Sequence, residues 1–152
     1  AKSCGLKISI DLASFNVVES NLSFLKELLQ KYVDIVFANE EEATALTGKS
    51  AEKAVEEIAD MCEISVVKIG KKGSFVRSAG KTFVIRTSAV DAVDTTGAGD
   101  LYASGFLFGL ANGFDLQRCG KIGSLVASKV VQVVGTKMST ETWNEIKSEI
   151  YA

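Results

Sequence analysis

The chain has 152 residues, of which 47% are hydrophobic and 24% are charged, a composition typical of a globular protein and unlike that of a disordered segment. Its 17 basic and 19 acidic residues give a formal net charge of −2, which argues against a broad cationic face for nucleic acid or an anionic membrane. The absence of histidine excludes a Ser-His-Asp triad, a histidine-ligated metal and a histidine general base. We therefore expect one domain over residues 1–152, with neither nucleic acid nor a membrane as partner.

The first part of the chain alternates between strand-like and helix-like segments. Apolar residues at helical spacing, as in Leu22, Leu25 and Leu29, indicate helices, and short β-branched runs indicate buried strands. The predicted elements, in chain order, are a strand at 7–11, a helix at 21–30, a strand at 33–38, a helix at 40–46 closed by Gly48, a helix at 51–62 and a strand at 64–69.

The second part begins with a predicted hairpin and continues as helices. Two β-prone runs, 74–77 and 82–87, are split by Ser78-Ala79-Gly80, so we expect a hairpin on the edge of the sheet. Helices are predicted at 101–110, 115–134 and 140–151. Strands and helices in this order predict a three-layer α/β/α sandwich with a mainly parallel sheet.

The cysteines suggest a reducing environment. Cys4, Cys62 and Cys119 are odd in number, widely spaced and free of any CxxC pattern, which favours neither a disulfide framework nor a zinc site. We expect reduced thiols in the core of a cytoplasmic protein.

A glycine-rich segment that runs into a helix is the sharpest chemical signal. In Asp94-Thr95-Thr96-Gly97-Ala98-Gly99-Asp100, the small residues allow a ligand to approach the backbone, and N–H groups at a helix start favour an anion. Asp100 would lie on the first helical turn, where a carboxylate can accept a proton from an attacking hydroxyl. The structural alternative is a capped helix that follows an ordinary turn.

Two other segments combine polar residues or glycines with strand ends. Asn39-Glu40-Glu41-Glu42 follows a predicted strand, where its carboxylates suit a helix start whether or not a ligand binds. The segment from Lys68 to Gly73, Lys-Ile-Gly-Lys-Lys-Gly, lacks the four-residue spacer of a Walker A loop, so we reject that interpretation.

The string from Asp94 to Asp100 resembles the signature of the PfkB (ribokinase-like) kinase family. The resemblance implies ATP as phosphate donor, an anion hole formed by Gly97, Ala98 and Gly99, and Asp100 as catalytic base. It also places Thr96 among the nucleotide-binding residues. Asp94 stands where many members help to hold a monovalent cation, such as K⁺.

The resemblance extends to four further parts of the chain. Asn39 and Glu42 match the Asn-x-x-Glu motif that organises Mg²⁺ in the family, and Gly70 and Gly73 match a strand end that lines nucleotide phosphates. Lys68 is included with these, although many relatives carry Thr there. Ser124, Ala127 and Gly135 match the helix that closes over the adenine. The stretch 11–18 is similar to adenosine-kinase-like members, without a mechanism that we can derive.

The resemblance covers nearly the whole chain but only the second half of a family member. We therefore expect the carboxyl-terminal, nucleotide-binding and catalytic portion of a kinase, cytoplasmic when intact, and inactive alone if the first half supplies the substrate site. Apolar surface left by that half favours association, including a homodimer.

The expected substrate is a small molecule with a hydroxymethyl group, adenosine first, because 11–18 and the helix ending in Val-Val-Gly-Thr resemble adenosine-kinase-like bacterial members. The alternatives are a ribokinase-type or fructokinase-type sugar kinase and a non-catalytic nucleotide-binding module. We discount an NAD-dependent enzyme, because no Gly-x-Gly-x-x-Gly follows the first strand.

Overall fold

The computed structural model describes residues 1–88 and 90–152. The chain forms two compact units. The first comprises Ala1–Gly70 with Ser74–Val84, and the second comprises Lys71–Gly73 with Ile85–Ala152.

A five-stranded sheet organises the first unit. Its strand order follows the chain, with β1 to β3 parallel and β3 antiparallel to β4. The strands are β1 (Ser9–Asp11), β2 (Ile35–Asn39), β3 (Ile64–Lys68), β4 (Ser74–Ser78) and β5 (Lys81–Ile85). Four helices accompany them, namely α1 (Phe15–Ser20), α2 (Leu22–Tyr32), α3 (Glu40–Thr47) and α4 (Ala51–Ala59).

Both faces of the central strands are buried. Val36 and Val67 belong to a hydrophobic core cluster that also contains Leu29, from α2, and Ile58, from α4. The residues that alternate with these along the strands, and so face the other side of the sheet, are buried as well; Phe37 on β2 is one of them. This is the burial expected of parallel strands that are covered on both sides, as the apolar runs predict.

Asp34 ties together the amino-terminal ends of the three parallel strands. Its Oδ2 accepts a hydrogen bond from the Ile8 N–H at 2.7 Å, and its own N–H donates to the Ile8 carbonyl at 2.8 Å. The Asp34 carbonyl accepts from the N–H groups of Glu63 and Ile64 at 3.0 and 2.9 Å. A salt bridge with Lys2 at Oδ1 and the Ile8 hydrogen bond lower the pKa of this buried carboxyl.

The structure contains the helices and strands that the sequence predicts, with two main differences. The sequence predicts no helix within 11–18, yet α1 begins at Phe15, because the Ser14 hydroxyl caps it by accepting from the Val17 N–H. The helix predicted over 51–62 ends at Ala59, and the one predicted over 115–134 ends at Val130.

The edge hairpin is confirmed, with β5 at the end of the strand order. Its turn residues, Ala79 and Gly80, both have positive φ, of 48° and 76°, as two-residue hairpin turns require.

The second unit contains α5 (Ala98–Ala111), α6 (Leu116–Val130) and α7 (Thr140–Tyr151). Glycines let α5 and α6 pack closely. A Cβ on Gly123 would lie 2.8 Å from the Tyr102 carbonyl oxygen, and one on Gly105 would lie 3.0 Å from the Ile122 carbonyl oxygen. Any larger residue at these positions must therefore push the two helices apart.

Gly97, with φ of 73°, is the residue immediately before α5. A Cβ at this position would lie 2.4 Å from Thr136 Cγ2. Two constraints therefore select glycine here, the left-handed backbone and the contact with Thr136.

The cysteine prediction is confirmed in part. Among the described residues the three thiols are unpaired, and Cys119 is buried, but Cys4 is exposed because it lies in a short 3₁₀ turn outside the core. Burial raises the pKa of Cys62 to about 12 and that of Cys119 to about 11.

Within the described part of the chain, no helix is both long enough and apolar enough to cross a bilayer.

We expect Asp34→Asn to lower the free energy of unfolding at neutral pH and to remove part of its pH dependence. Because the folded-state pKa of Asp34 is lowered, its stabilising effect is complete above the unfolded pKa of about 3.8 and is lost as the pH falls through the folded pKa. Urea unfolding from pH 7 to 3 should show the two proteins converging at acid pH. Glu27→Gln, in an exposed ion pair with Lys31, is the control and should change stability little. A constant difference at every pH would contradict the assignment.

Gly97→Ala should lower the free energy of unfolding by about 2 to 3 kcal/mol, because it combines a left-handed alanine with the Thr136 contact. Gly113, with φ of 77° and open space around it, is the matched control, and Gly113→Ala should lose only about 1 to 2 kcal/mol. Thr136→Ser removes Cγ2 and should recover the difference in the Gly97→Ala background. Equal losses at both glycines in denaturant unfolding would show that the contact has no effect.

Candidate functional site

Three polar residues stand at the carboxyl ends of the parallel strands in the first unit. Asp11 ends β1, Asn39 ends β2 and Lys68 ends β3, and Asn39 pairs with Lys68 in the strand register. In open α/β sheets, ligands bind outside the carboxyl ends of the strands. We call Asp11, Asn39, Glu42 and Lys68 the polar edge.

Asn39 and Glu42 form a capping box at the start of α3. Asn39 Oδ1 accepts from the Glu42 N–H at 2.9 Å, while Glu42 Oε2 accepts from the Asn39 N–H at 2.8 Å and Oε1 accepts from Asn39 Nδ2 at 2.8 Å. The Asn-x-x-Glu spacing thus has a complete structural explanation. Each carboxylate oxygen nevertheless keeps a second lone pair for a further donor or a metal-bound water.

Glu42 is buried, with 3% of its surface exposed. Burial is the largest influence on this carboxyl and raises its pKa; the Asn39 N–H lowers the pKa, the charge of Asp11 raises it and that of Lys68 lowers it. Among the described residues, no three acidic or cysteine side chains converge on a metal position. The polar edge therefore suits a hard ion such as Mg²⁺ only if water and phosphate supply most of its ligands.

Lys68 forms an ion pair with Asp11, whose Oδ2 lies 2.6 Å from the lysine Nζ. The side chain of Lys68 is only 15% exposed. After β3, Gly70 adopts a φ of 57° and begins a short 3₁₀ turn. The structure thus brings Lys68, Asn39 and Glu42 into one region and adds Asp11, which the sequence alone could not connect to them.

Asp94 joins two loops of the second unit. Its Oδ1 accepts from the Thr96 N–H at 2.9 Å and its Oδ2 from the Gly135 N–H at 2.8 Å, and both bonds lower its pKa. The N–H groups of Val93 and Asp94 also donate to the Val131 carbonyl. Asp94 therefore has a clear structural function, and its contact with a cation stays a prediction.

The start of α5 has the geometry of an anion site. The Ala98 N–H donates to the Thr95 carbonyl at 3.2 Å and the Leu101 N–H donates to the Gly97 carbonyl at 2.9 Å. By helix geometry, the intervening N–H groups of Gly99 and Asp100 have no acceptor within the helix. Helix N–H groups of this kind can donate hydrogen bonds to a phosphate oxygen, and the helix dipole favours its negative charge, so the residues present fit a phosphate group.

Asp100 lies in the first turn of α5 and is exposed. Its carbonyl accepts from the Ser104 hydroxyl at 2.8 Å. An exposed carboxylate beside the helix start can meet a substrate hydroxyl without rearrangement of the fold.

Gly73, which belongs to the second unit, has a packing function. With φ of 108°, it approaches Ile85 of the same unit so closely that a Cβ would lie 1.8 Å from the Ile85 carbonyl oxygen. No side chain fits there, so close backbone packing is sufficient to explain why position 73 is a glycine, whether or not this loop binds a nucleotide.

A groove of about 300 Å³ lies in the second unit. Its lining combines apolar residues of α6 and α7 with three cations and four hydroxyl side chains, a combination that suits an anionic ligand with a flat apolar part. The lining residues are Arg86, Thr87, Ser88, Arg118, Lys121, Ile122, Ser124, Leu125, Ser128, Glu149 and Ile150. Arg118 is already engaged, because its guanidinium donates to the Ile150 carbonyl and lies over the Phe114 ring.

Of the three residues predicted near a purine, only Ser124 is among the described lining of this groove. Ala127 lies on α6 and its carbonyl accepts from the Val131 N–H, while Gly135 serves the Asp94 contact. Arg86 and Lys121 were not predicted, because a single basic residue near the end of a predicted strand and another within a predicted helix carry no specific signal.

A groove in the first unit differs in charge. It is lined by Phe15, Glu19, Glu40, Glu41, Thr44 and Ala45, so three carboxylates would repel a nucleotide. Of these two grooves, the basic one is therefore the better match to a phosphorylated ligand.

Comparison with known proteins agrees with this geometry. Residues 10–143 match the model of the pfkB family carbohydrate kinases. The chain is 32% identical to an uncharacterised sugar kinase of Archaeoglobus fulgidus over 120 residues, which are 78% of this chain and 48% of that protein. The chain spans less than half the length of this relative.

Two solved structures are also similar. The adenosine kinase of Sinorhizobium meliloti superposes with a TM-score of 0.92 at 34% identity, over 98% of this chain and 46% of that one. The ribokinase of Arabidopsis thaliana, solved with ribose and ATP, gives a TM-score of 0.79 at 26% identity, over 95% of this chain and 48% of that one. These neighbours share a ribokinase-like α/β fold with a mostly parallel sheet. With a family match that covers most of its length, the chain belongs to the pfkB family of carbohydrate kinases.

Proposed function

We propose that this chain is the nucleotide-binding and catalytic portion of a kinase that transfers the γ-phosphoryl group of ATP to a hydroxymethyl group. The observation that carries the proposal is the start of α5, where unpaired helix N–H groups lie beside the exposed Asp100 carboxylate. This combination provides both a cradle for phosphate and a base for the attacking hydroxyl.

In the proposed reaction, the substrate oxygen forms a bond to the γ-phosphorus while the bond from that phosphorus to the β,γ-bridging oxygen breaks and ADP leaves. Asp100 takes the hydroxyl proton. The turn Gly97, Ala98 and Gly99 shapes the anion hole, in which the N–H groups of Gly99 and Asp100 stabilise the charge on the transferring phosphoryl oxygens. Proton transfer of this kind contributes about 10² to 10⁴ in rate, and positioning contributes most of the remainder.

The polar edge and the basic groove have distinct proposed functions. Bound Mg²⁺ would neutralise charge on the phosphates, and Asn39 with Glu42 would orient waters around it, with Lys68, Gly70 and Gly73 along the phosphates. The groove beside Ser124 would hold the purine, with Ile122 and Leu125 against its face. Thr96, Ala127 and Gly135 would contribute through the loops that they shape, and Asp94 would be placed to contact K⁺.

For the substrate we favour adenosine, supported by the 34% identity to an adenosine kinase. A sugar such as ribose or fructose is the second candidate, supported by the relative named as a sugar kinase. We also propose that the enzyme works in the cytoplasm, in line with the unpaired and largely buried thiols of Cys62 and Cys119.

Asp100→Asn should abolish turnover, with a loss of at least about 10²-fold in kcat, while the affinity for Mg-ATP stays within about threefold. The reason is that asparagine keeps the shape of the side chain but cannot accept the proton. Phosphate transfer from Mg-ATP to adenosine, ribose and fructose is measured with the gene product that contains this chain, and nucleotide affinity by calorimetry. Asp91→Asn, a nearby exposed position, is the matched control and should keep full activity.

Two results would reject the proposal in different ways. Near wild-type kcat in Asp100→Asn would remove the base assignment. Nucleotide binding without transfer to any of the three substrates by the unmodified protein would favour the non-catalytic nucleotide-binding module.

A further inference from the structure

The ion pair between Asp11 and Lys68 crosses a strand. The sheet order is β1-β2-β3, so the residues that end β1 and β3 are separated by the width of β2. Adjacent strands lie about 4.8 Å apart, which puts the two backbones about 10 Å from each other. Only a long side chain can close that gap, and Lys68 reaches Asp11 Oδ2 at 2.6 Å. A threonine at position 68 could not make this contact.

The contact holds Lys68 in place at a cost. Ordering a lysine side chain loses about 2 kcal/mol of rotamer entropy, and ion pairs with partial exposure return about 1 kcal/mol or less. Asp11 is itself 29% exposed, so solvent weakens the pair. Stability alone is therefore a poor explanation for this arrangement.

A second carboxylate competes for the same ammonium. The charges of Lys68 and Asp11 both act on the pKa of Glu42, which places the three groups within electrostatic reach of one another. Glu42 is the more buried of the two carboxylates, and burial strengthens its attraction for a cation. Lys68 contacts Asp11, and loss of the Asp11 charge would leave Glu42 as the remaining carboxylate of the polar edge to attract the ammonium.

Asp11 also has a fixed geometry. Its Oδ1 accepts from the Ala13 N–H at 3.3 Å, across a turn in which Ala13 adopts a φ of 66°. The neighbouring Leu12 is 2% exposed, and its N–H donates to the Phe37 carbonyl at 3.0 Å. The Asp11 carboxylate is therefore anchored by its own loop while it holds the lysine.

We propose that Asp11 is a positioning residue that keeps the Lys68 ammonium at the carboxyl edge of the sheet, apart from Glu42, as a fixed positive charge for nucleotide phosphates. This inference rests on the proposed function of the polar edge. An ammonium has three N–H donors, so the bond to Asp11 leaves two for phosphate oxygens. It also gives a function to the start of the stretch 11–18, which the sequence analysis left without a mechanism.

The test compares a ligand that carries phosphates with one that does not. Calorimetry on the gene product that contains this chain measures the Kd of Mg-ATP and of adenosine for the wild type, Asp11→Asn, Lys68→Thr and the double variant. Asp11→Asn should raise the Kd of Mg-ATP about tenfold, as expected for withdrawal of one charge-assisted hydrogen bond, and leave the Kd of adenosine unchanged. In the Lys68→Thr background, Asp11→Asn should add no further loss, because the residue that it positions is gone.

Two controls separate positioning from a structural effect. Asp11→Glu keeps a carboxylate and should recover most of the Mg-ATP affinity. Glu63→Gln removes one partner of the exposed Lys7–Glu63 pair in the same unit and should change neither Kd.

The outcomes distinguish this inference from the function on which it rests. Absence of Mg-ATP binding by the wild type would reject the proposed function as well. Normal wild-type binding with an Asp11→Asn Kd that is unchanged or lower would overturn only the positioning inference. An equal loss for Mg-ATP and adenosine would assign Asp11 a structural function and would overturn it too.

Discussion

The carboxyl ends of three parallel strands must meet at one edge of the sheet, and the first unit is organised by this constraint. Each return from one strand to the next through helices brings the chain back in the same direction, so residues far apart in sequence arrive side by side. Asp11, Asn39 and Lys68 are neighbours for this reason alone. At the opposite, amino-terminal ends, hydrogen bonds of the buried Asp34 hold the same three strands in alignment.

The second unit obtains its anion site by a different route. There, the left-handed backbone at Gly97 turns the chain sharply into α5, and the two oxygens of Asp94 fix the turn to the loop at Gly135. These contacts hold the helix start in place before a phosphate binds, so binding should lose less conformational entropy than it would with an unconstrained loop.

Structural features that depend on a few neighbouring residues, or on a long periodic pattern, could be predicted from the sequence, whereas a short element without such a pattern could not. The start of α3 at Glu40, its end at Gly48 and the hairpin turn at Ala79-Gly80 are local, so residue types and spacing alone predicted them, although the Asn39–Glu42 capping box itself was not predicted. The fold class followed from the alternation of apolar runs, and α7 was predicted with its observed bounds. Helix α1 was missed because it has only six residues and a single buried side chain, Val18, which leaves no periodic pattern to detect.

The candidate site was predictable only in its separate pieces. The Asp94–Asp100 string and the Asn39–Glu42 pair could be recognised from residue types and spacing. The Asp11–Lys68 contact joins residues 57 positions apart, and it depends on strand order, which no local pattern encodes. For Asp94, the resemblance predicted contact with a cation, and the structure adds a function that the sequence did not predict. Its two carboxylate oxygens accept hydrogen bonds from Thr96 and Gly135 and so join two loops.

The glycine contact between α5 and α6 restricts how this unit can change over generations. Because Gly123 meets the Tyr102 carbonyl and Gly105 meets the Ile122 carbonyl, a side chain gained on either helix cannot be offset by trimming a side chain on the other. Side-chain atoms of Val126 and Tyr102 also lie close, but the backbone atoms in this surface cannot be made smaller. The usual route of compensating pairs of substitutions is therefore closed along this line of contact, and variation in the unit should accumulate on the outer faces of the two helices.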